Sequence, residues 1–185
     1  MIRLITILVT MLWTTLTLAA PLPSGVDPQN TILLDTNSGR VVIRLRPDLA
    51  PKHADRIKTL TREKFYDNAP FHRVIAGFMA QTGDPTGTGT GRSKYPDLPA
   101  EFSDIPFTRG IVGMARGPSP NSANSQFFIM YGDVPSLNGK YTVIGEVVSG
   151  MDVVDRIKKG AQANNGMVPD PDRIVRVQVA ADAHE

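Results

Sequence analysis

The chain contains no cysteine among its 185 residues. Neither a disulfide framework nor a lipid-anchored N-terminal cysteine can therefore form, and the stability of the fold depends on packing alone. With 41% hydrophobic and 21% charged residues, a chain of this length is expected to form one globular domain with a well-buried core, and no second domain.

A large excess of one charge is also absent, because 20 lysines and arginines stand against 18 aspartates and glutamates. The basic residues are scattered, and a net charge of +2 argues against a nucleic-acid-binding surface. The few histidines, His53, His72 and His184, lack the spacing of metal ligands. The glycine-rich segment 83–92 lacks the Gly-Lys-Ser/Thr ending of a phosphate loop. We therefore predict neither a metal nor any other cofactor.

Long apolar runs are confined to the N-terminus, where Arg3 precedes an uncharged stretch at 4–20. This pattern is typical of a secretory signal peptide, and the small residues at its end predict cleavage after Ala19 or Ala20. An uncleaved membrane anchor is the alternative, because seventeen uncharged residues approach the length of a spanning helix. With cleavage, we expect a periplasmic protein that is not attached to a membrane, and the lack of cysteine is compatible with that compartment.

Alternating apolar residues predict eight short strands. Val41, Ile43 and Leu45 alternate with polar residues just after Asn37-Ser38-Gly39, which is the pattern of a β-hairpin. The predicted strands span 31–36, 40–45, 71–75, 78–82, 111–115, 126–130, 142–148 and 174–180. The same alternation assigns Phe127 to the core.

Two helices are predicted as well. One begins near Pro51, and the other runs from Met151 to Ile157 and ends at Lys158-Lys159-Gly160. Eight short strands with two helices indicate an all-β fold, and periodicity alone permits either a barrel or a sandwich. The predicted boundaries are a leader at 1–19, a linker at 20–29, a folded domain at 30–181 and a tail at 182–185.

Several motifs occur in a fixed order. The first, at 71–84, reads Phe-His-Arg-Val-Ile-Ala-Gly-Phe-Met-Ala-Gln-Thr-Gly-Asp, and the glycine-rich segment follows it. Later come Gly-Ile-Val-Gly-Met-Ala at 110–115, Ser-Gln-Phe-Phe-Ile at 125–129 and Leu-Asn-Gly-Lys-Tyr-Thr-Val-Ile-Gly at 137–145. From about residue 30 to about residue 180 the chain thus resembles the cyclophilin family of peptidyl-prolyl cis-trans isomerases, in particular its bacterial exported branch. The resemblance implies a closed, eight-stranded antiparallel barrel that the two helices cap.

The resemblance also implies a site. Its catalytic residues would be Arg73, Gln81 and Phe128. Its substrate-binding residues would be Phe78, Met79, Ala115, Arg116, Gln126, Leu137 and Tyr141. Among these, the apolar side chains would hold the proline, and Gln81 would bond the backbone of the peptide. The backbone around Ala115 and Arg116 would hold the residue before the proline, and Gln126 would orient Arg73.

An arginine suits prolyl isomerisation for a physical reason. An X-Pro bond rotates over a barrier of about 18–20 kcal/mol because of amide resonance. A guanidinium keeps its charge and offers several fixed donors, so Arg73 could bind the proline carbonyl and also the lone pair that the imide nitrogen gains when the bond twists. One charge-assisted hydrogen bond contributes only about 1.5–3 kcal/mol. Holding the proline in a partly dry pocket must supply the remainder.

The expected substrates are proline-containing unfolded or flexible polypeptides, whose folding a monomeric enzyme would accelerate. One alternative is a chaperone module that binds proline segments with little turnover, and another is a β-barrel that binds a small molecule. Taken alone, Arg73 would be a surface cation and the phenylalanines would be core. Ser136 stands where many eukaryotic relatives of this family have tryptophan, which implies weak cyclosporin binding.

Overall fold

The structure is a computed structural model, and it describes residues 22–183. The predicted signal peptide, its cleavage positions and His184 lie outside the described residues. Within the described part of the chain, no helix is long and apolar enough to cross a membrane.

The predicted strands and helices are confirmed, with ends that shift by one or two residues. The strands are β1 (Thr31–Thr36), β2 (Gly39–Leu45), β3 (Arg73–Ile75), β4 (Met79–Thr82), β5 (Ile111–Met114), β6 (Phe127–Met130), β7 (Val143–Ser149) and β8 (Ile174–Val179). The helices are α1 (Pro51–Arg62) and α2 (Met151–Arg156).

All eight strands form one antiparallel sheet in the order β3-β4-β6-β5-β7-β2-β1-β8. The predicted closed barrel is wrong, because β3 and β8 are the two edges of a sheet that curls into an open half-barrel. The strand β3 has only three residues, and its outer edge bonds to the irregular segment that precedes β8. The Val74 N–H donates to the Gly166 carbonyl and the Val168 N–H to the His72 carbonyl. These bonds satisfy the edge without a strand pairing.

Alternate side chains of the sheet enter two separate hydrophobic clusters. Phe127 and Ile129 of β6 belong to the main core, whereas Phe128 and Met130 belong to a smaller cluster. Successive side chains of a strand point to opposite faces, so one short strand supplies both clusters. The prediction that Phe127 lies in the core is confirmed, and the smaller cluster borders the candidate site.

Both helices bury one face against the main core. Helix α1 contributes Ala54, Ile57 and Leu60, and α2 contributes Val153 and Val154. The first turn of α1 has no side-chain cap of its own. Instead, the carboxylate of Glu101 accepts the N–H groups of Lys52 and His53, which satisfies two of the free donors at the helix start.

Candidate active site

The three predicted catalytic residues lie opposite one another on three neighbouring strands. Arg73 of β3 pairs with Gln81 of β4, and Gln81 pairs with Phe128 of β6. Residues paired in this way have Cβ atoms only about 4.5–5.5 Å apart. The sheet register therefore gathers residues that are distant in sequence into one row.

A cavity of about 120 Å³ lies against this row. Nine of the ten predicted site residues line it, namely Arg73, Phe78, Met79, Gln81, Ala115, Arg116, Phe128, Leu137 and Tyr141. Gln126 is the exception. Met79 and Phe128 are 1% and 5% exposed, so they form an apolar floor, and the two arginines bring positive charge to its rim. The roles of these residues remain predictions.

Aromatic packing fixes the floor of the cavity. The ring of Phe128 stacks on that of Phe107 with centroids 5.8 Å apart, and the ring of Tyr141 meets Phe128 edge-on at 5.8 Å. Gly113 pairs with Phe128 across the sheet, and a Cβ atom there would lie 2.6 Å from both phenylalanine rings. Only glycine leaves room for this stack, and neither Phe107 nor Gly113 was recognised from the sequence as a part of the site.

Three neutral acceptors hold the guanidinium of Arg73. Its Nε donates to the main-chain oxygen of Asn165 at 3.0 Å, its Nη2 to Asn165 Oδ1 at 2.9 Å and its Nη1 to Gln81 Oε1 at 3.3 Å. A guanidinium has five N–H groups, so two remain unused. Burial lowers the pKa of Arg73, yet a guanidinium stays charged at any working pH. No carboxylate within residues 22–183 forms an ion pair with it.

Gln126 reaches Arg73 only through Gln81. Gln81 Nε2 donates to Gln126 Oε1 at 2.9 Å, and Gln126 Nε2 in turn donates to the carbonyls of Gly89 and Gly91. Because each amide has one donor end and one acceptor end, this chain turns Gln81 Oε1 toward the arginine. The orienting effect of Gln126 on Arg73 stays a prediction, and in this geometry it would act through Gln81.

A second cavity of about 210 Å³ adjoins the first and shares Gln81, Ala115 and Arg116 with it. The glycine-rich segment forms one wall. The carboxylate of Asp84 organises that segment by accepting hydrogen bonds from Thr86 and from the N–H groups of Gly89 and Gly91. Burial alone would raise the pKa of Asp84, but these hydrogen bonds outweigh it and the pKa is lowered. The N–H groups of this glycine-rich segment thus bind a carboxylate of the protein, whereas those of a phosphate loop bind a phosphate.

Arg116 lines both cavities. Its guanidinium lies 4.6 Å from the centroid of the Tyr141 ring and donates to the carbonyls of Lys140, Gly117 and Pro118. From the family resemblance, only the backbone around Ala115 and Arg116 is expected to contact the peptide. The side chain of Arg116 has a further effect, since it packs on the ring of Tyr141 at the edge of the first cavity.

Asn165 is a site residue that the sequence does not reveal. The dipeptide Asn165-Gly166 is a turn signal, but it lies outside every quoted motif and gives no sign of its distance from Arg73. The contact arises because the segment before β8 runs along the outer edge of β3.

Comparisons with known proteins agree with this geometry. A family model described as cyclophilin type peptidyl-prolyl cis-trans isomerase/CLD matches residues 31–179. The chain is 58% identical over 170 residues to a probable peptidyl-prolyl cis-trans isomerase of Brucella suis, which covers 86% of this chain and 87% of that protein.

Two solved structures have the same fold. The crystal structure of the cyclophilin AquaCyp293 from Hirschia baltica superposes with a TM-score of 0.77 at 27% identity, over 86% of this chain and 77% of that one. A Cryptosporidium parvum cyclophilin type isomerase, crystallised in the presence of the dipeptide Ala-Pro, gives 0.73 at 29% identity, over 80% and 98%. The chain therefore belongs to the cyclophilin family, and it is a peptidyl-prolyl cis-trans isomerase.

Proposed function

We propose that this protein is an exported bacterial isomerase that accelerates the folding of proline-containing polypeptides, with Arg73 as its catalytic donor. One observation carries the proposal. A guanidinium with two unused N–H groups and no carboxylate partner in the described chain lines a cavity whose floor is Met79 and Phe128.

The proposed mechanism depends on the difference between the planar and the twisted imide. One free N–H of Arg73 binds the proline carbonyl, and the other approaches the prolyl nitrogen. In either planar state the nitrogen lone pair is delocalised, so only the twisted state accepts the second hydrogen bond. An interaction that exists only in the twisted state lowers the barrier to rotation. Arg73 acts in this scheme as a donor and never loses its proton.

The apolar floor makes the second contribution. A 10⁵-fold acceleration requires about 7 kcal/mol, and a charge-assisted hydrogen bond supplies only about 1.5–3 kcal/mol. In the proposal, the floor of Met79 and Phe128 fixes the proline ring while the preceding carbonyl rotates. Because the ring cannot move, less conformational freedom has to be lost in the transition state. The ring of Tyr141 and the side chain of Leu137 limit the access of water, which strengthens each hydrogen bond.

The peptide on the N-terminal side of the proline is proposed to run past Ala115 toward the second cavity. An extended chain advances about 3.3 Å per residue, so side chains one to three positions before the proline fall within this wider, more polar recess. It accepts many side chains, whereas the smaller cavity selects proline through its apolar floor.

Exchange spectroscopy on a short Ala-Pro peptide tests the activity and the role of Arg73 together. The protein without residues 1–20 should speed cis-trans exchange by several orders of magnitude, and Arg73→Ala should remove most of that effect with an unchanged circular dichroism spectrum. An Arg73→Ala variant as fast as the wild type would refute the proposed mechanism.

The alternative, a chaperone that binds proline segments with little turnover, makes a different prediction. Suppression of client aggregation would then survive Arg73→Ala, and exchange would be slow even in the wild type. We propose catalysis instead, because the arginine, its neutral acceptors and the aromatic floor form one ordered group, which binding alone does not require.

Export is proposed from the N-terminal pattern at 1–20, and it has its own test. The only tryptophan of the chain is Trp13, so the protein purified from the periplasm should show tyrosine emission only. Tryptophan emission from that material would mean that the leader is retained. Gel filtration should give a monomer, and cyclosporin should bind weakly because Ser136, beside Leu137 at the cavity, offers no indole ring.

A further inference from the structure

We infer that Asn165 is a positioning residue for the isomerisation: its side chain and main-chain oxygens aim the guanidinium of Arg73 so that two N–H groups stay free for the proline. The inference rests on the proposed role of Arg73 and adds a requirement to it. Asn165 itself is an exposed loop residue and does not line the proline cavity.

The geometry of the contact is specific. Asn165 offers two oxygens to two different nitrogens of one guanidinium, at 3.0 Å to Nε and 2.9 Å to Nη2. Gln81 holds Nη1 at 3.3 Å from the other side. Contacts at all three nitrogens fix both the plane of the guanidinium and its rotation about the Nε–Cζ bond. A single contact would leave the head group free to turn away from the cavity.

The loop that carries Asn165 is anchored next to Arg73. The Gly160 N–H donates to the Val74 carbonyl, and the Val74 N–H donates to the Gly166 carbonyl. Both ends of the segment 160–166 are thus bonded to the residue that follows Arg73. A Cβ atom at Gly166 would overlap the side chain of Ile75, so this close approach depends on glycine.

The backbone at Asn165 restricts which residues can occupy it. Its φ angle is +53°, in the left-handed region, after the 3-10 helix Gln162–Asn164. Glycine, asparagine and aspartate adopt this region most readily. Glycine has no side-chain oxygen. Aspartate has two side-chain oxygens, but its negative charge would pair with the guanidinium.

Neutrality of the clamp is the reason to expect asparagine. All three acceptors of Arg73 are amide oxygens, so the positive charge is not compensated within the described chain. An ion pair would draw the guanidinium toward the carboxylate and weaken its remaining N–H groups as donors to the substrate. Asparagine alone combines the left-handed backbone, the second acceptor and zero charge.

Two variants separate these requirements. Asn165→Gly keeps the backbone conformation and the Nε contact and removes only Oδ1. Asn165→Asp keeps the shape and adds a charge. The matched control is Asn164→Gly, because Asn164 is the preceding residue and is not among the hydrogen-bond partners of Arg73 within residues 22–183.

Cis-trans exchange should be measured on the Ala-Pro peptide, with kcat and KM taken separately. We expect kcat to fall about tenfold in Asn165→Gly, with little change in KM, because the lost contact orients a group that acts in the twisted state. Asn165→Asp should also lose about tenfold in kcat. Asn164→Gly should match the wild type.

A spectroscopic readout distinguishes positioning from a loss of stability. In ¹⁵N spectra of the arginine side chain, the Nη groups of Arg73 should rotate faster in Asn165→Gly than in the wild type, while the thermal midpoint stays the same. Wild-type kcat together with unchanged Nη rotation in Asn165→Gly would overturn the inference, and wild-type kcat in Asn165→Asp would overturn the claim of neutrality. If the wild type itself fails to catalyse exchange, the proposed function falls instead.

Discussion

Arg56 and Arg73 are both held by neutral oxygens and lie near an aromatic ring, but they belong to different kinds of region. Arg56, on the buried face of α1, is only 9% exposed, donates to the carbonyls of Pro96 and Asn124 and lies 5.1 Å from the centroid of the Tyr95 ring. Arg73, on the edge strand β3, is held by Asn165 and Gln81 and lines an open cavity.

The difference lies in what the remaining donors face. Around Arg56 the protein itself surrounds the guanidinium, so the group joins α1 to the loops at 95–96 and 124. The guanidinium of Arg73 lies beside a cavity, so its unused N–H groups can donate to another molecule. The same side chain with similar partners is therefore structural in one region and, as we propose, catalytic in the other. The two arginines differ in whether a cavity lies beside the guanidinium, and the residue type alone does not reveal this.

The largest expected effect is on catalysis, from Arg73→Lys. Lysine keeps the charge but loses the planar fork, so it cannot hold Asn165 and Gln81 and still present two donors. We expect kcat/KM to fall by about 10- to 100-fold with no change in the free energy of unfolding. Exchange spectroscopy and urea unfolding measure the two quantities. A large loss of stability would mean that Arg73 resembles Arg56 more than the comparison allows.

The same substitution at the other position, Arg56→Lys, should have the opposite profile. One ammonium cannot reach both the Pro96 and the Asn124 carbonyls, and a buried carbonyl without a donor is costly, so the free energy of unfolding should drop by about 1–2 kcal/mol. The kcat/KM of the folded protein should fall far less than in Arg73→Lys. An unchanged free energy of unfolding would show that a lysine can replace the buried guanidinium of Arg56.

A pH dependence of stability should come from the buried histidine beside each arginine. Burial lowers the pKa of His53 despite the opposing effect of Glu101, and burial likewise lowers the pKa of His72. As the pH falls below about 7, the unfolded chain takes up protons that the folded protein refuses, so stability falls. Each histidine contributes a slope of at most about 1.4 kcal/mol per pH unit.

Urea unfolding between pH 7 and pH 5 measures this slope. His53→Gln removes the contribution of His53 to the slope and leaves that of His72. The slope should therefore decrease without vanishing. A slope that His53→Gln leaves intact would mean that His53 is protonated in the folded protein over this range.

The smallest expected effect concerns a third arginine, at the border of the two cavities. The partners of Arg116 are carbonyl groups and an aromatic ring, so its charge can attract an acidic side chain that precedes the proline. Peptides with Glu two positions before the proline should have a KM roughly two- to fivefold lower than peptides with Lys there. The ratio should shrink at 0.5 M salt and in Arg116→Met. A ratio insensitive to salt would contradict this electrostatic origin.

The order of the secondary structure elements was predictable because it depends on local patterns. Alternation places Val41, Ile43 and Leu45 on one face of β2, and the spacing from Met151 to Ile157 marks a helix. The closed barrel, which the family resemblance implied, was wrong, and local patterns hold no information on closure. Closure depends on how long the edge strand β3 is and on which segment satisfies its outer edge, and residues nearly a hundred positions later decide this.

The candidate site divides in the same way. The sequence by itself determined the strands, the helices and, through the motifs, nine residues that line the cavity beside Arg73, because strand periodicity and family motifs depend on neighbouring positions. Only the tertiary structure decided that the sheet stays open, that Gln126 acts through Gln81 and that Asn165 holds Arg73. Those facts depend on distances between segments remote in the chain, which are set by the register of the sheet and by the packing of a loop on its edge.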